Sequence, residues 1–223
     1  VDKAEEYPEK VYKVNADGTK YLAIAAKRNH AKIFYISTDY VFDGKGDQPF
    51  EIDSPRGGLS VYGKSKQIGE DNVIENCPEH FIIRISWAFG INGSNYIKSM
   101  LKLAESKSEL NIVCDQIGSP TYMHDLSSLM CDMMETEKYG TYHATNEGFC
   151  SWYDFTKEIY RLSGINHVKV NPITTAEYKK LVPNQADRPL NSRLSKKSLD
   201  EAGFSRLPTW QDATARFLKE LEK

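Results

Sequence analysis

Two short runs rich in β-branched and aromatic residues, Lys32-Ile33-Phe34-Tyr35-Ile36-Ser37 and Phe81-Ile82-Ile83-Arg84-Ile85-Ser86, constrain the fold more than any other feature of the chain. Neither alternates cleanly between apolar and polar residues, so each reads as a strand covered on both faces, the condition of a parallel sheet. Between them lie a polar stretch bearing Gly and Pro, from Asp43 to Gly58, and then a segment of helical character from Tyr62 to about Ile74. Strand, loop, helix, strand is a crossover unit, right-handed when its strands are parallel. The expectation is an α/β protein with helices on both faces of a parallel sheet.

The flanks extend this pattern. From Pro8 to about Lys27, Val11, Val14, Tyr21, Leu22, Ala25 and Ala26 recur at helical spacing and predict a helix laid on the sheet. Tyr96 to Ala104 and Leu126 to Met134 read as helices, and Gly140 to Thr145 as a short strand. From Ser151 the chain changes character. Ser151 and Thr209 each precede a carboxylate three residues on, Asp154 and Asp212, as an N-cap with acidic first-turn support does, and predict helices through Leu162 and Leu221. Val168-Lys169-Val170 reads as a β segment between them. There is no internal repeat, low-complexity tract or heptad array.

A chain of 223 residues buries roughly 70–75% of its unfolded surface, enough for a core without crosslinks or metals. Its 29 Lys+Arg against 31 Asp+Glu leave a net charge of -2, so no overall field draws nucleic acid or an anionic membrane. A small-molecule partner is the expectation. Cys77, Cys114, Cys131 and Cys150 are scattered without a C-x-x-C pair, which suggests reduced thiols rather than zinc or redox chemistry. No apolar run reaches the ~20 residues of a membrane span, and Val1-Asp2-Lys3-Ala4-Glu5-Glu6 is charged where a signal peptide is greasy. A cytoplasmic location fits these features.

Tyr62-Gly63-Lys64-Ser65-Lys66 sets a tyrosine and a lysine one turn apart on the second predicted helix. Reduction of a ketone by a hydride needs a proton delivered to the oxygen, and a phenol with an ordinary pKa of about 10 holds its proton tightly. An ammonium one turn away favours the phenolate and is expected to ease that transfer. Thr38, at the C-terminal end of the first strand, lies where open α/β sheets bind ligands and offers a hydroxyl to the same oxygen. Tyr153 and Lys157 repeat the spacing, yet no strand precedes them. His124 and His143 read as structural, with no second ligand at regular spacing to suggest a metal.

With those residues stand Val14-Asn15-Ala16-Asp17-Gly18-Thr19, Ser37-Thr38-Asp39-Tyr40-Val41-Phe42-Asp43-Gly44, Arg84-Ile85-Ser86-Trp87, Asp115-Gln116-Ile117-Gly118-Ser119-Pro120-Thr121 and Arg188-Pro189. In this order along the whole chain, they resemble the extended short-chain dehydrogenases/reductases, and within them the branch that reduces keto sugars carried on dTDP. The resemblance implies a Rossmann-type doubly wound parallel sheet with a smaller mixed α/β substrate domain. It also implies NADPH or NADH as hydride donor, and dTDP-4-dehydro-L-rhamnose as the substrate whose 4-keto group is reduced to give dTDP-L-rhamnose. By the same resemblance Tyr62 is the general acid, and Lys66 holds the nicotinamide ribose and tunes Tyr62, while Thr38 orients the carbonyl. Ser37 and Asn15 are assigned to the cofactor side, Asn15 fixing a water behind Lys66. Asp39 and Trp87 are assigned to the sugar pocket, and Asn95, Gln116 and Arg188 to the nucleotide-sugar end, where a guanidinium suits diphosphate oxygens. No metal residue is assigned, and monomer and homodimer both stay open.

Dehydratases of the same superfamily carry Thr-Asp-Glu where this chain has Thr38-Asp39-Tyr40. Loss of water needs a carboxylate base, for which Tyr40 is a poor replacement. Simple reduction is therefore favoured over a dehydratase or epimerase. A Gly-rich phosphate turn of the G-x-G-x-x-G kind has no counterpart in the chain, so a start just after the fourth strand of the family pattern is expected, together with an exposed apolar edge. That leaves a noncatalytic binding subunit as a further alternative. Residues 1–87 with 122–147 are assigned to the remainder of the dinucleotide domain, and 88–121 with 148–223 to the substrate domain.

Overall fold

The chain opens with two short helices, α1 (Asp2–Glu6) and α2 (Pro8–Tyr12), and passes through a π-helical turn over Lys13–Gly18 into α3 (Thr19–Arg28). The computed structural model describes every residue except 184 and 223. Strand β1 (Ile33–Thr38) ends in a 3-10 turn at Asp39–Val41, and a long loop leads to α4 (Val61–Asn76) and β2 (His80–Ile85). The Ser60 hydroxyl starts α4 by accepting a bond from the Gly63 N–H at 3.1 Å. Next come β3 (Ala88–Phe89), α5 (Tyr96–Ala104), β4 (Glu109–Val113), β5 (Ile117–Gly118), β6 (Thr121–Tyr122), α6 (Met123–Met134) and β7 (Gly140–His143). The C-terminal part holds β8 (Cys150–Ser151), α7 (Trp152–Leu162), β9 (Lys169–Ile173), α8 (Thr175–Leu181), α9 (Lys197–Ala202) and α10 (Trp210–Leu221).

Among the described residues the main sheet runs β1-β2-β7, all parallel, with Tyr35 opposite Ile82 and Ile83 opposite Tyr142. Alternation along the strands sends side chains to two different layers. Phe81, Ile83 and Ile85 with Phe34 and Ile36 pack against Leu126, Leu129 and Met133 of α6 and Leu199 of α9. Tyr35 and Ile82 point the other way, onto Ala23 of α3 and Val73 of α4. Helices on both faces of a parallel sheet are the expected α/β architecture.

A second core lies beyond the strand ends. Phe89, Ile97, Met100, Phe155, Ile159, Trp210 and Phe217 form one buried cluster, with Trp87 and Trp152 packed against it. The parallel pair β4–β9 and the antiparallel pair β5–β8 border this region. Helix α7 starts on a complete capping box, Ser151 and Asp154 each bonding the other's backbone N–H, and Thr209 caps α10. Leu199 and Leu207, inside the stretch that sequence assigns to the substrate domain, pack into the cluster on the sheet.

The first helix departs from expectation. In place of one continuous α-helix from Pro8, the π turn at Lys13–Gly18 widens the spiral, and the face that meets α4 is Ala16, Thr19 and Ala23. Val14, Tyr21, Leu22 and Ala25, counted as core-facing, are exposed. Small residues are buried because the helices approach closely. At Gly69 of α4 a Cβ would lie 2.6 Å from the Asn15 carbonyl oxygen and 2.0 Å from the Tyr35 hydroxyl. Strand β4 escaped the sequence reading because Glu109-Leu110-Asn111-Ile112-Val113 is half-exposed, and its parallel partner β9 lies far along the chain.

Candidate active site

Strand β1 delivers Thr38 and the 3-10 turn delivers Asp39 to the edge where α4 begins. The Thr38 hydroxyl donates to Asp39 Oδ1 at 2.9 Å and accepts from the Tyr40 N–H at 3.2 Å. Gly63 lets the helix start sit against this turn, since a Cβ there would lie 2.2 Å from the Tyr40 carbonyl oxygen. Tyr62 is thereby brought over Tyr40, edge to face with ring centroids 5.7 Å apart. Burial and the nearby Asp39 carboxylate raise the Tyr62 pKa, while the Thr38 hydroxyl works to lower it. The phenol therefore keeps its proton and is neutral at pH 7, the state a general acid needs.

Asp39 is buried, and its Oδ2 has no hydrogen-bond partner among the described residues. Burial pushes its carboxyl up to about 6, against hydrogen bonds from Ser192 and Thr38 that lower it. Lys66 is half-buried one turn beyond Tyr62. Burial lowers its ammonium to about 8, opposed by the Glu70 carboxylate. Lys66 Nζ lies 3.7 Å from the centre of the Tyr35 ring, while burial and Asp39 are the largest influences raising the Tyr62 pKa.

Two residues assigned to the cofactor face inward. The Ser37 hydroxyl donates to Glu70 Oε1 at 2.5 Å. Asn15 Nδ2 donates to the Ser65 hydroxyl at 3.0 Å, and its carbonyl, presented by the π turn, accepts from the Thr19 hydroxyl at 2.8 Å. Both residues brace the helix that carries Tyr62 and Lys66. The Lys66 ammonium makes no hydrogen bond among the described residues, so its donors fit the hydroxyls of a nicotinamide ribose.

Beneath the site lies a charge network that the sequence reading missed. Glu70, fully buried, takes Arg84 Nε on Oε1 and Arg84 Nη2 on Oε2, each at 2.8 Å, with Arg56 Nη1 on Oε2 at 3.1 Å. Arg84 also donates to the Ile52 carbonyl at 2.8 Å and lies 3.3 Å from His143 Nε2. Burial and the Arg84 charge depress His143 to about 3, so it stays neutral. A lone arginine inside the apolar run Phe81–Ile85 was the available signal, because a charge in a buried strand requires a partner.

Trp87 follows the end of β2 at a positive φ of 49°, a conformation that a bulky residue adopts under constraint. Its indole stacks on Trp152 with centroids 3.7 Å apart and planes 18° apart. A Cβ at Gly118 would press on the Trp87 ring at 3.0 Å. Trp152 and Tyr96 lead into a cavity of about 390 Å³ lined also by Ile112, Gln116, Tyr178 and Arg188. Gln116 and Arg188 thus meet in one cleft. Gln116 Nε2 donates to the Thr175 hydroxyl at 3.1 Å, and one Arg188 nitrogen reaches Asp2 at 3.0 Å while its Nε is buried without a described partner.

Asn95 does not join them. Its side chain caps α5, accepting from the Lys98 N–H at 3.1 Å and donating to the Gly90 carbonyl at 2.8 Å, and it faces a different hollow beside Met123 and Glu220. A short polar side chain directly before a helix suits this capping role. Among the described residues no group of His, Cys, Asp or Glu is arranged to hold a metal ion, and no helix is long and apolar enough to cross a membrane.

Comparison with known proteins adds a family to this geometry. The sequence profile described as RmlD substrate binding domain matches residues 1–223. The spore coat polysaccharide biosynthesis protein SpsK of Bacillus subtilis is 42% identical, over 99% of this chain and 75% of its own length. The dTDP-4-dehydrorhamnose reductase of Aggregatibacter actinomycetemcomitans is 41% identical, over 96% of this chain and 75% of its own. The crystal structure of dTDP-4-dehydrorhamnose reductase from Bacillus anthracis in complex with NADP superposes with a TM-score of 0.93 at 38% identity, covering 99% of this chain and 76% of that one.

Proposed function

The chain belongs to the family of RmlD substrate-binding domains, and on that premise we propose that it takes part in the NAD(P)H-dependent reduction of the 4-keto group of dTDP-4-dehydro-L-rhamnose to dTDP-L-rhamnose. The observation that carries the reading is Tyr62 at the start of α4 beside the open end of β1, where Thr38 stands, with Lys66 one turn further along the helix. The nicotinamide supplies a hydride to the carbonyl carbon. Tyr62 gives its proton to the developing alkoxide, a far stronger base than a phenolate, so a raised phenol pKa is no obstacle. Thr38 orients the carbonyl oxygen. Lys66 turns its unpartnered ammonium to the ribose hydroxyls and steadies the phenolate left behind. Reduction, not dehydration, suits the site because Tyr40, held protonated by burial and Asp39, replaces the carboxylate base that loss of water would need.

The two cores divide the work in this reading. Residues 1–87 with 122–147 carry the acid and the ribose contact, and residues 88–121 with 148–223 hold the nucleotide sugar. Trp87 and Asp39 meet the sugar ring, and Gln116 and Arg188, in the cleft behind Trp152, meet the nucleotide diphosphate. Exchange of Tyr62 for Phe tests the assignment. The expected result is a loss of roughly 10²–10⁴-fold in turnover with cofactor affinity unchanged, whereas near-normal turnover would remove Tyr62 from the mechanism. Product analysis tests the reaction type: ketosugar consumed with equal NAD(P)H oxidation supports reduction, and conversion without net oxidation points to an epimerase or dehydratase.

A further inference from the structure

The ammonium of Lys66 has an unusual seat. Glu70, one turn further along α4, is the obvious counter-charge, yet its carboxylate is fully engaged: Ser37 and Arg84 occupy Oε1, and Arg84 and Arg56 occupy Oε2. Lys66 Nζ stands instead over the Tyr35 ring, 3.7 Å from its centroid, well inside the ~6 Å reach of a cation–π contact. Tyr35 is 8% exposed, and a desolvated ring attracts a cation more strongly than one in water.

The ring is fixed at its far end as well. The Tyr35 hydroxyl lies 3.4 Å from the Asn15 carbonyl oxygen and 3.3 Å from the Lys66 carbonyl oxygen, wedged between the π turn and α4. Only glycine at position 69 leaves room for it, because a Cβ there would lie 2.0 Å from the hydroxyl oxygen. Strand alternation puts Tyr35 on the same side of β1 as Ser37, the side that faces α4.

We propose that Tyr35 is a positioning residue for the reaction, its buried ring holding the Lys66 ammonium in place one turn from Tyr62. This rests on the reading that Tyr62 and Lys66 act together in carbonyl reduction. The ring stabilises the charged form of Lys66, as the Glu70 carboxylate does, while burial and the absence of a hydrogen-bonding partner disfavour it. Weakening the ring's negative face therefore lowers the pH at which Lys66 loses its proton, and the alkaline limb of turnover moves down with it.

The test replaces Tyr35 by Phe and then by Phe carrying one to three ring fluorines, which drain the ring's face with little change of shape. The Lys66 side-chain nitrogen is titrated by NMR in protein labelled at lysine, and turnover is measured against pH. Tyr35→Phe, which keeps the ring, is expected to hold kcat within about twofold. Across the fluorinated series the Lys66 titration is expected to fall stepwise by roughly half to one and a half pH units, with kcat at neutral pH falling and the KM for the keto sugar unmoved. Tyr35→Leu is expected to lose kcat where Tyr35→Phe does not. A Lys66 titration indifferent to fluorination, or a Tyr35→Phe as impaired as Tyr35→Leu, would overturn the assignment. Wild-type turnover is read separately: its absence with a responsive Lys66 counts against the reductase reading alone, and normal turnover with an indifferent Lys66 counts against Tyr35 alone.

Discussion

Around β1, β2 and α4 the interior carries fixed charge, Glu70 locked between Arg84, Arg56 and Ser37, whereas around α5, α7 and α10 it carries packed aromatic rings, Trp87 stacked on Trp152 and Phe155 set among Phe89, Tyr96 and Trp210. The difference follows from what each region holds. On the proposed reading a proton is kept at a defined place next to Tyr62 and Lys66, and buried ion pairs fix geometry because any displacement exposes an uncompensated charge. On the same reading the second region receives the rings of a nucleotide sugar, and aromatic side chains supply contact area at low entropic cost.

The largest effect is expected from removing charge in the core around Glu70. Glu70→Gln leaves Arg84 buried beside a neutral amide and is expected to destabilise the fold by about 3 kcal/mol or more, read by urea unfolding. Replacing both Glu70 and Arg84 by Leu and Met is expected to recover much of that loss in stability, because apolar side chains of similar volume avoid the unpaired charge, yet to impair turnover. Full recovery of both would show that the charges serve no positioning role.

Asp39 gives the next effect, and its sign depends on pH. The folded-state pKa of about 6 lies above the ordinary 3.8, so the favourable protonated state contributes fully below pH 4 and is lost as pH rises through 6. Asp39→Asn is therefore expected to stabilise the protein at pH 8, by at most about 3 kcal/mol, and to change little at pH 4. Melting curves at the two pH values decide it. Phe155→Leu, in the aromatic core, is expected to cost less than Glu70→Gln, about 1 to 2 kcal/mol, at any pH. A pH-dependent penalty there would blur the contrast between the cores.

The smallest effect separates a cap from a ligand. Asn95→Ala is expected to lower stability by about 1 kcal/mol and to leave the KM for the dTDP sugar unchanged. A selective rise in KM would return Asn95 to the substrate site.

Much of the sheet was legible because β1 and β2 are continuous apolar runs, and Ser151 and Thr209 mark helix starts by local chemistry. Long-range pairing was not legible. Nothing in Glu109–Val113 announces its parallel partner at Lys169–Ile173, and nothing around Asn15 announces the π turn, since the wider spiral answers to packing against Gly69 rather than to local propensity. At the site, Thr38, Tyr62 and Lys66 could be picked out by a strand end and a helical spacing, whereas Asp39 came in only with the family resemblance. Ser37 and Asn15 were assigned to the cofactor side by resemblance, and that assignment carried no sign that their side chains bond Glu70 and Ser65 on α4. Tyr35 read as an ordinary strand residue, and only three-dimensional proximity ties it to Lys66.

The stack of Trp87 on Trp152 has a spectroscopic consequence. The chain contains three tryptophans, and all three, Trp87, Trp152 and Trp210, lie in or against the aromatic cluster. Intrinsic fluorescence therefore reports one core and is blind to the other, and two indoles held face to face at 3.7 Å couple their transitions into a circular-dichroism couplet that vanishes when Trp87 leaves its seat.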